Sequence, residues 1–301
     1  MKAKPVAVLV LKLVLLTILM FVCIALAAVI VGAGGDSESG EEAGQILLPL
    51  LAMCVVNVVV LAYPVVRSRW FGLKLTATVF LVFFGAQTFQ GQIETMFFGE
   101  AFEISGSQIA EVFLMGALTA LFYSPLAVLV LGRMKRCDEP MVLEHLLAAR
   151  GRGLAWRLAA LPLIYLALYF LFGYFVAWQF ADVRAFYSGS AEIRPFFAHL
   201  AGLIDEDPWI FPWQLLRGLL WVGLAVPVIL MMKGKRWEAS LALGLLFGLL
   251  LTTPLIIPNP LMPAPVRLAH FLETSTSTFA YGWLIGWLLR APDVGDQVAI
   301  R

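Results

Sequence analysis

Charge is what this sequence has least of. Of its 301 residues 14% are Asp, Glu, Lys or Arg and 61% are apolar, whereas a soluble domain carries roughly 25% charged residues. That scarcity excludes an ordinary water-soluble fold and leaves a polytopic membrane protein. A formal net charge of +1 offers no basic field for nucleic acid. Cysteine and histidine are scarce too, at three each. Cys23 and Cys54 fall inside apolar runs and Cys137 in a basic loop, so neither a disulfide framework nor a cysteine zinc site can be built. No HExxH, Walker sequence or glycine-rich phosphate loop occurs; zincin chemistry and nucleotide-driven work by this chain are excluded with them. No motif specifies a cofactor.

What is present is apolar length. Windows of about 20 residues, each able at 1.5 Å per residue to cross a hydrocarbon core of ~30 Å, lie near 10–33, 44–66, 71–93, 109–132, 155–179, 213–232, 237–257 and 268–290. The expected fold is therefore all-α: a bundle of about eight transmembrane helices making one integral membrane domain over 1–301. Lys2, Lys4, Arg67, Arg69, Lys74, Arg133, Lys135, Arg136, Arg150, Arg152, Lys233, Lys235, Arg236, Arg290 and Arg301 then share one side, which the positive-inside rule makes cytoplasmic. Both termini fall on that side, in a plasma membrane of the bacterial, inner-membrane type. The opposite side collects GGDSESGEEA (34–43), Glu94, Glu100, Glu103 and IDEDPW (204–209). Leu13 to Ala33 is uncharged over about 21 residues, longer than the 7–15 of a signal-peptide core, so a retained anchor helix is expected.

Two connecting segments are long. In 133–153, Pro140 precedes Met141, Val142, Leu143, Leu146 and Leu147, the pattern of a short helix on the membrane surface on which a cytosolic partner could dock. In 180–212, Trp209, Phe211 and Trp213 suit an interfacial aromatic belt. His145 and His199, in these two segments, read as ordinary solvated or interfacial histidines. Gly244 with Gly248, and Gly282 with Gly286, have the spacing that lets membrane helices approach closely. Packing within the chain explains them without a dimer.

One apolar segment begins with unusual polarity, RLAHFLETSTSTFAYG (267–282). Counted from Arg290, Glu273 lies about 25 Å and His270 about 30 Å up the helix. At 100° per residue His270, Glu273, Thr274, Ser277 and Tyr281 share an arc of roughly 100°, with Arg267 at its edge. On the third helix Gln87, Gln90 and Glu94 lie about 20, 24 and 30 Å above Lys74, and on the sixth Arg217 lies about 24 Å above Lys233. Ionisable groups in hydrocarbon cost about 2.5–3.5 kcal/mol or more each, so they turn toward partners or water rather than lipid.

The expectation is a polar layer of Gln87, Gln90, Glu94, Arg217, Arg267, His270, Glu273 and Ser277 opening outward. Three readings of it stand. It binds or translocates a small polar or ionic solute, with PNPLMPAPVR (258–267) as a stiff lid. Alternatively, His270, Glu273 and Glu94 hold a metal in a membrane-embedded hydrolase. Or the layer is structural, with Arg217 and Glu273 as mutual counter-ions in a scaffold or subunit. Beyond the lipid bilayer and such a solute, no partner is specified.

Overall fold

A computed structural model describes residues 3–32, 40–99, 104–135, 152–259 and 261–291, with side chains from 6, 44 and 153 onward in the first, second and fourth of these segments. Most of the segment 133–153, with Cys137 and His145, lies outside the described residues, as does much of the acidic stretch 34–43. All named elements among the described residues are helical.

Helix α1 is Ala3–Val31 and α2 is Gly40–Val66. Helix α3, Gly72–Phe83, runs through a π-helical turn, Phe84–Phe89, into α4, Gln90–Phe97. Helix α5 is Gly106–Val130, begun by a capping box in which the Ser105 hydroxyl accepts from the Gln108 N–H and the Gln108 side chain accepts from the Ser105 N–H. Helix α6 is Arg152–Phe175, followed by a 3₁₀ turn, Ala177–Gln179. Two short helices, α7 (Ala181–Ser188) and α8 (Phe196–Glu206), precede α9 (Ile210–Met231). Helix α10 is Arg236–Leu250 with a 3₁₀ turn at Thr253–Ile256, and α11 is Ala264–Leu289. Prolines 49, 64, 125, 162 and 227 lie inside helices, a placement that membrane helices tolerate.

Seven stretches are long and apolar enough to cross a membrane: Val6–Val31, Gly44–Val66, Gly72–Phe97, Gly106–Val130, Gly153–Gln179, Ile210–Met231 and Arg236–Ile256. They coincide with the first seven windows of the sequence. Helix α11 occupies the eighth and is 26 residues long, but it is not among the seven. Glu273 and the five hydroxyl residues Thr274 to Thr278 dilute its apolar character.

The chain folds as two compact units interleaved along the sequence. The first comprises 1–143, 230–234 and 249–258. In it α1 packs along α5 and α2, and α3 with its π-turn packs along α5. Gly116 on α5 leaves no room for a side chain beside the π-turn, since a Cβ there would collide with Thr88. Buried apolar residues of this unit include Leu16, Met20, Val58, Leu61, Val79 and Tyr123.

The second unit comprises 144–229, 235–248 and 259–301. Here α11 packs against α6 and α7, and against α10 through the spaced glycines. A Cβ on Gly282 would lie 2.5 Å from Leu243 O, one on Gly286 2.6 Å from Ser240 Cα, and one on Gly248 2.8 Å from Ser275 O. The paired GxxxG spacings thus serve one contact inside the chain. Thr278 Oγ1, 3.1 Å from Phe247 O, adds a hydrogen bond across it.

The obstacles to a side chain at Gly282 are backbone atoms, which cannot swing aside. Gly282→Ala should therefore part α10 from α11 and cost about 1–3 kcal/mol. Gly173→Ala on α6, where a Cβ meets nothing within 4 Å, should be neutral or stabilising by about 0.5 kcal/mol. Thermal unfolding of the two variants in one detergent compares them directly.

Candidate functional site

The outer end of α11 acquires its geometry from α7. Val183 is buried against Val266 and Ala269, within a cluster that includes Trp178, Phe180, Phe186, Tyr187 and Met262. Arg184 braces α7 by donating from Nε to Ala191 O (2.7 Å) and from Nη1 to Trp178 O (2.6 Å). One helical turn on from Val183 and from Val266, at i+4 on each helix, stand Tyr187 and His270. The Tyr187 hydroxyl is 3.0 Å from His270 Nε2, and the two rings meet edge to face.

His270 Nδ1 in turn lies 3.6 Å from Glu273 Oε2, too long for a hydrogen bond and an ion pair only when the imidazole is protonated. The same carboxylate oxygen accepts from the Thr274 hydroxyl at 2.7 Å. An ionised carboxylate only accepts, so the imidazole interacts best with its proton on Nδ1; Nε2 is then an acceptor and Tyr187 the donor. Tyr187, His270 and Glu273 stand as an array, the first two within hydrogen-bond distance and the last two in closer reach than an intervening water would need. Glu273 is 7% exposed and His270 partly exposed, so the array runs from an accessible edge to a buried carboxylate.

The other expected residues of this unit have separate surroundings. Arg217 is 1% exposed, donates from Nη1 to Gln214 Oε1 at 2.9 Å, and lies over the Tyr165 ring at 5.8 Å. Beside it the Tyr281 hydroxyl donates to Gly218 O at 3.0 Å. Glu273 has two polar partners among the described residues, His270 and Thr274. The expected Arg217–Glu273 counter-ion pair is absent, because Arg217 is engaged with groups on α9 and α6. Arg267 donates to Met262 O at 2.7 Å, tying down the turn before α11. The Ser277 hydroxyl is buried and donates to Thr274 O at 3.2 Å, a helix-internal bond.

Gln87, Gln90 and Glu94 belong to the first unit, where Gln87 joins a different network. Thr253 Oγ1 donates to Asn57 Oδ1 at 2.8 Å, Asn57 Nδ2 to Gln87 Oε1 at 3.0 Å, and Gln87 Nε2 reaches Met53 Sδ at 3.7 Å. Asn57 and Gln90 are fully buried, while Gln87 and Glu94 are partly exposed. The π-turn at Phe84–Phe89 interrupts the uniform 100° per residue of an α-helix just where Gln87 stands. Asn57 and Tyr187 were not singled out from sequence, whereas Thr253 lies at the depth of the polar layer by the same count along its helix. Asn57 is an isolated polar residue in an apolar run and carried a usable signal; Tyr187 carried none.

Among the described residues no group of three or more His, Cys, Asp or Glu side chains is arranged to hold a metal; His270 and Glu273 stand as a pair. Comparison of the chain with protein-family models, curated proteins and solved structures gives no match.

His199, on α8, is nested between Trp178 (ring centroids 4.7 Å apart) and Tyr174 (5.6 Å). Burial pushes its pKa below the ordinary 6.5; the Arg194 charge lowers it further and Glu206 partly offsets this. The undocked state then binds more protons, so docking of α8 is fully supported above about pH 6.5 and weakens as pH falls toward the lowered value. Hydrogen exchange of 196–206, corrected for intrinsic rates, should accelerate between about pH 7 and 5, and His199→Gln should remove that dependence.

Proposed function

We propose that this integral membrane protein binds, and carries or senses, a small polar or ionic solute at its outer face, with Tyr187, His270 and Glu273 as the recognition array. In this reading α11 is the eighth span, since its 26 residues extend about 39 Å against a core of ~30 Å. Both termini are then cytoplasmic and the membrane a bacterial-type plasma membrane.

One observation carries the proposal: Glu273 is 7% exposed and its ion-pair partner among the described residues is a titratable imidazole rather than a lysine or arginine. A carboxylate kept in that state is costly unless something compensates it intermittently. The complementary solute carries a positive charge or an exchangeable proton. Within the first unit, Gln87, Gln90 and Glu94 are further positions for a polar solute. A hydrolase reading draws support from the Tyr187–His270 hydrogen bond, with Glu273 close by, since an imidazole so placed suits general acid–base work; a metal-assisted version would still need a third ligand besides His270 and Glu273.

Thermal shift of the detergent-solubilised protein against small cationic, neutral and anionic solutes tests the proposal. A cation at about 100 times its Kd should stabilise by ~2.7 kcal/mol, and Glu273→Gln should abolish the shift while melting at or above the unliganded wild type. Stabilisation by anions alone, or by no solute together with a Glu273→Gln variant that melts well below wild type, would make the carboxylate a packing element.

A further inference from the structure

At the end of the first unit opposite Glu94 and Glu111, several connecting segments are tied into one knot. Arg69 N–H donates to Met231 O (2.7 Å), Lys233 N–H to Arg67 O (2.8 Å), and Gly72 N–H to Arg133 O (3.0 Å). Arg69 Nη2 donates to Met232 O at 3.0 Å, and Arg133 Nη2 to Ser68 O. Gly72 and Gly132, with φ of 56° and 76°, make the reversals that a side chain would strain. The knot is thus rigid, and it gathers cations. Lys74 Nζ sits 3.8 Å from the centroid of the Trp70 ring, the Arg133 guanidinium 4.0 Å from that of Phe71, and Lys12 Nζ would be 3.8 Å from a Cβ on Gly132.

The Lys12, Arg69, Lys74 and Arg133 side chains meet here and the backbones of Arg67 and Lys233 join them, whereas the acidic side chains described in this unit, Glu94 and Glu111, lie toward the far ends of their helices. The Trp70 indole N–H, buried beneath the Lys74 ammonium, has no hydrogen-bond acceptor among the described residues. We infer that this knot is a binding site for the phosphate of an anionic phospholipid. The ligand must be an anion with several acceptor oxygens, because the site offers concentrated positive charge and an indole donor. It is a lipid because the residues stand where membrane helices end, at headgroup level, and a cluster of Lys and Arg beside a membrane span is what anionic headgroups meet. The site is independent of the outer array.

Native mass spectrometry of the protein released from nanodiscs of phosphatidylcholine and phosphatidylglycerol in equal parts tests this. Phosphatidylglycerol should be retained over phosphatidylcholine, and retention should fall about fivefold for each charge removed in Lys12→Gln/Lys74→Gln. Neither side chain donates to the backbone bonds of the knot, so that variant should stay folded. Arg194→Gln, outside this unit, should retain lipid like wild type. In delipidated protein phosphatidylglycerol should raise the melting temperature and inorganic phosphate at the same concentration should not. Equal retention of the two lipids, or a double variant that keeps the preference, overturns the site; equal stabilisation by inorganic phosphate overturns the lipid as its ligand.

Discussion

The backbone-to-backbone approach of α10 and α11 is the contact on which the second unit's polar chemistry depends. With Gly282 against Leu243 O and Gly248 against Ser275 O, the helices sit closer than any side chain allows. That closeness fixes the rotation of α11. Ser277, Thr278, Tyr281 and Gly286 are buried by it, and Glu273, on the same face, is buried with them. Hydrophobic burial gives helices little reason to associate in lipid, so close packing and interhelical hydrogen bonds have to hold them. The Thr278–Phe247 bond is one of these.

Two groups of buried polar residues differ in a way that assigns them different roles. Thr253, Asn57 and Gln87 form a neutral donor-to-acceptor chain that ends on the weakly accepting Met53 sulfur. Neutral hydrogen bonds of this kind contribute about 0.6–2 kcal/mol in a membrane and need nothing further. Glu273 differs because its charge is met by a hydroxyl and a neutral or protonated imidazole. The first group specifies packing around the π-turn. The second meets a buried carboxylate with no lysine or arginine among the described residues, which is the feature on which the proposed solute site rests.

Much of the architecture was legible in the sequence because apolar length is a local property. The windows at 10–33 through 237–257 became helices at nearly those limits, and the glycine spacing correctly indicated an internal contact. Helix α11 also formed where expected, although its polar residues keep it outside the apolar set. The candidate site was legible only as far as one helix could carry it: His270 and Glu273 share a face because they are three residues apart. Tyr187 was invisible because it reaches His270 through the docking of Val183 on Val266, 83 residues away in sequence. The π-turn was invisible because FGAQTF has no signature that distinguishes it from an ordinary helix. One of the three readings paired Arg217 with Glu273 by depth and charge alone; Gln214 and Tyr165, which Arg217 meets, are ordinary residues in the sequence.

The central claim is that Tyr187, His270 and Glu273 act as one coupled array. With three histidines in the chain, nitrogen-15 NMR of histidine-labelled protein can isolate His270 by comparison with His270→Gln. At neutral or mildly alkaline pH the account predicts an imidazole protonated on Nδ1, with Nε2 accepting a hydrogen bond that is lost in Tyr187→Phe and a tautomer balance that moves in Glu273→Gln. A His270 signal protonated on Nε2, and unmoved by either substitution, would contradict it.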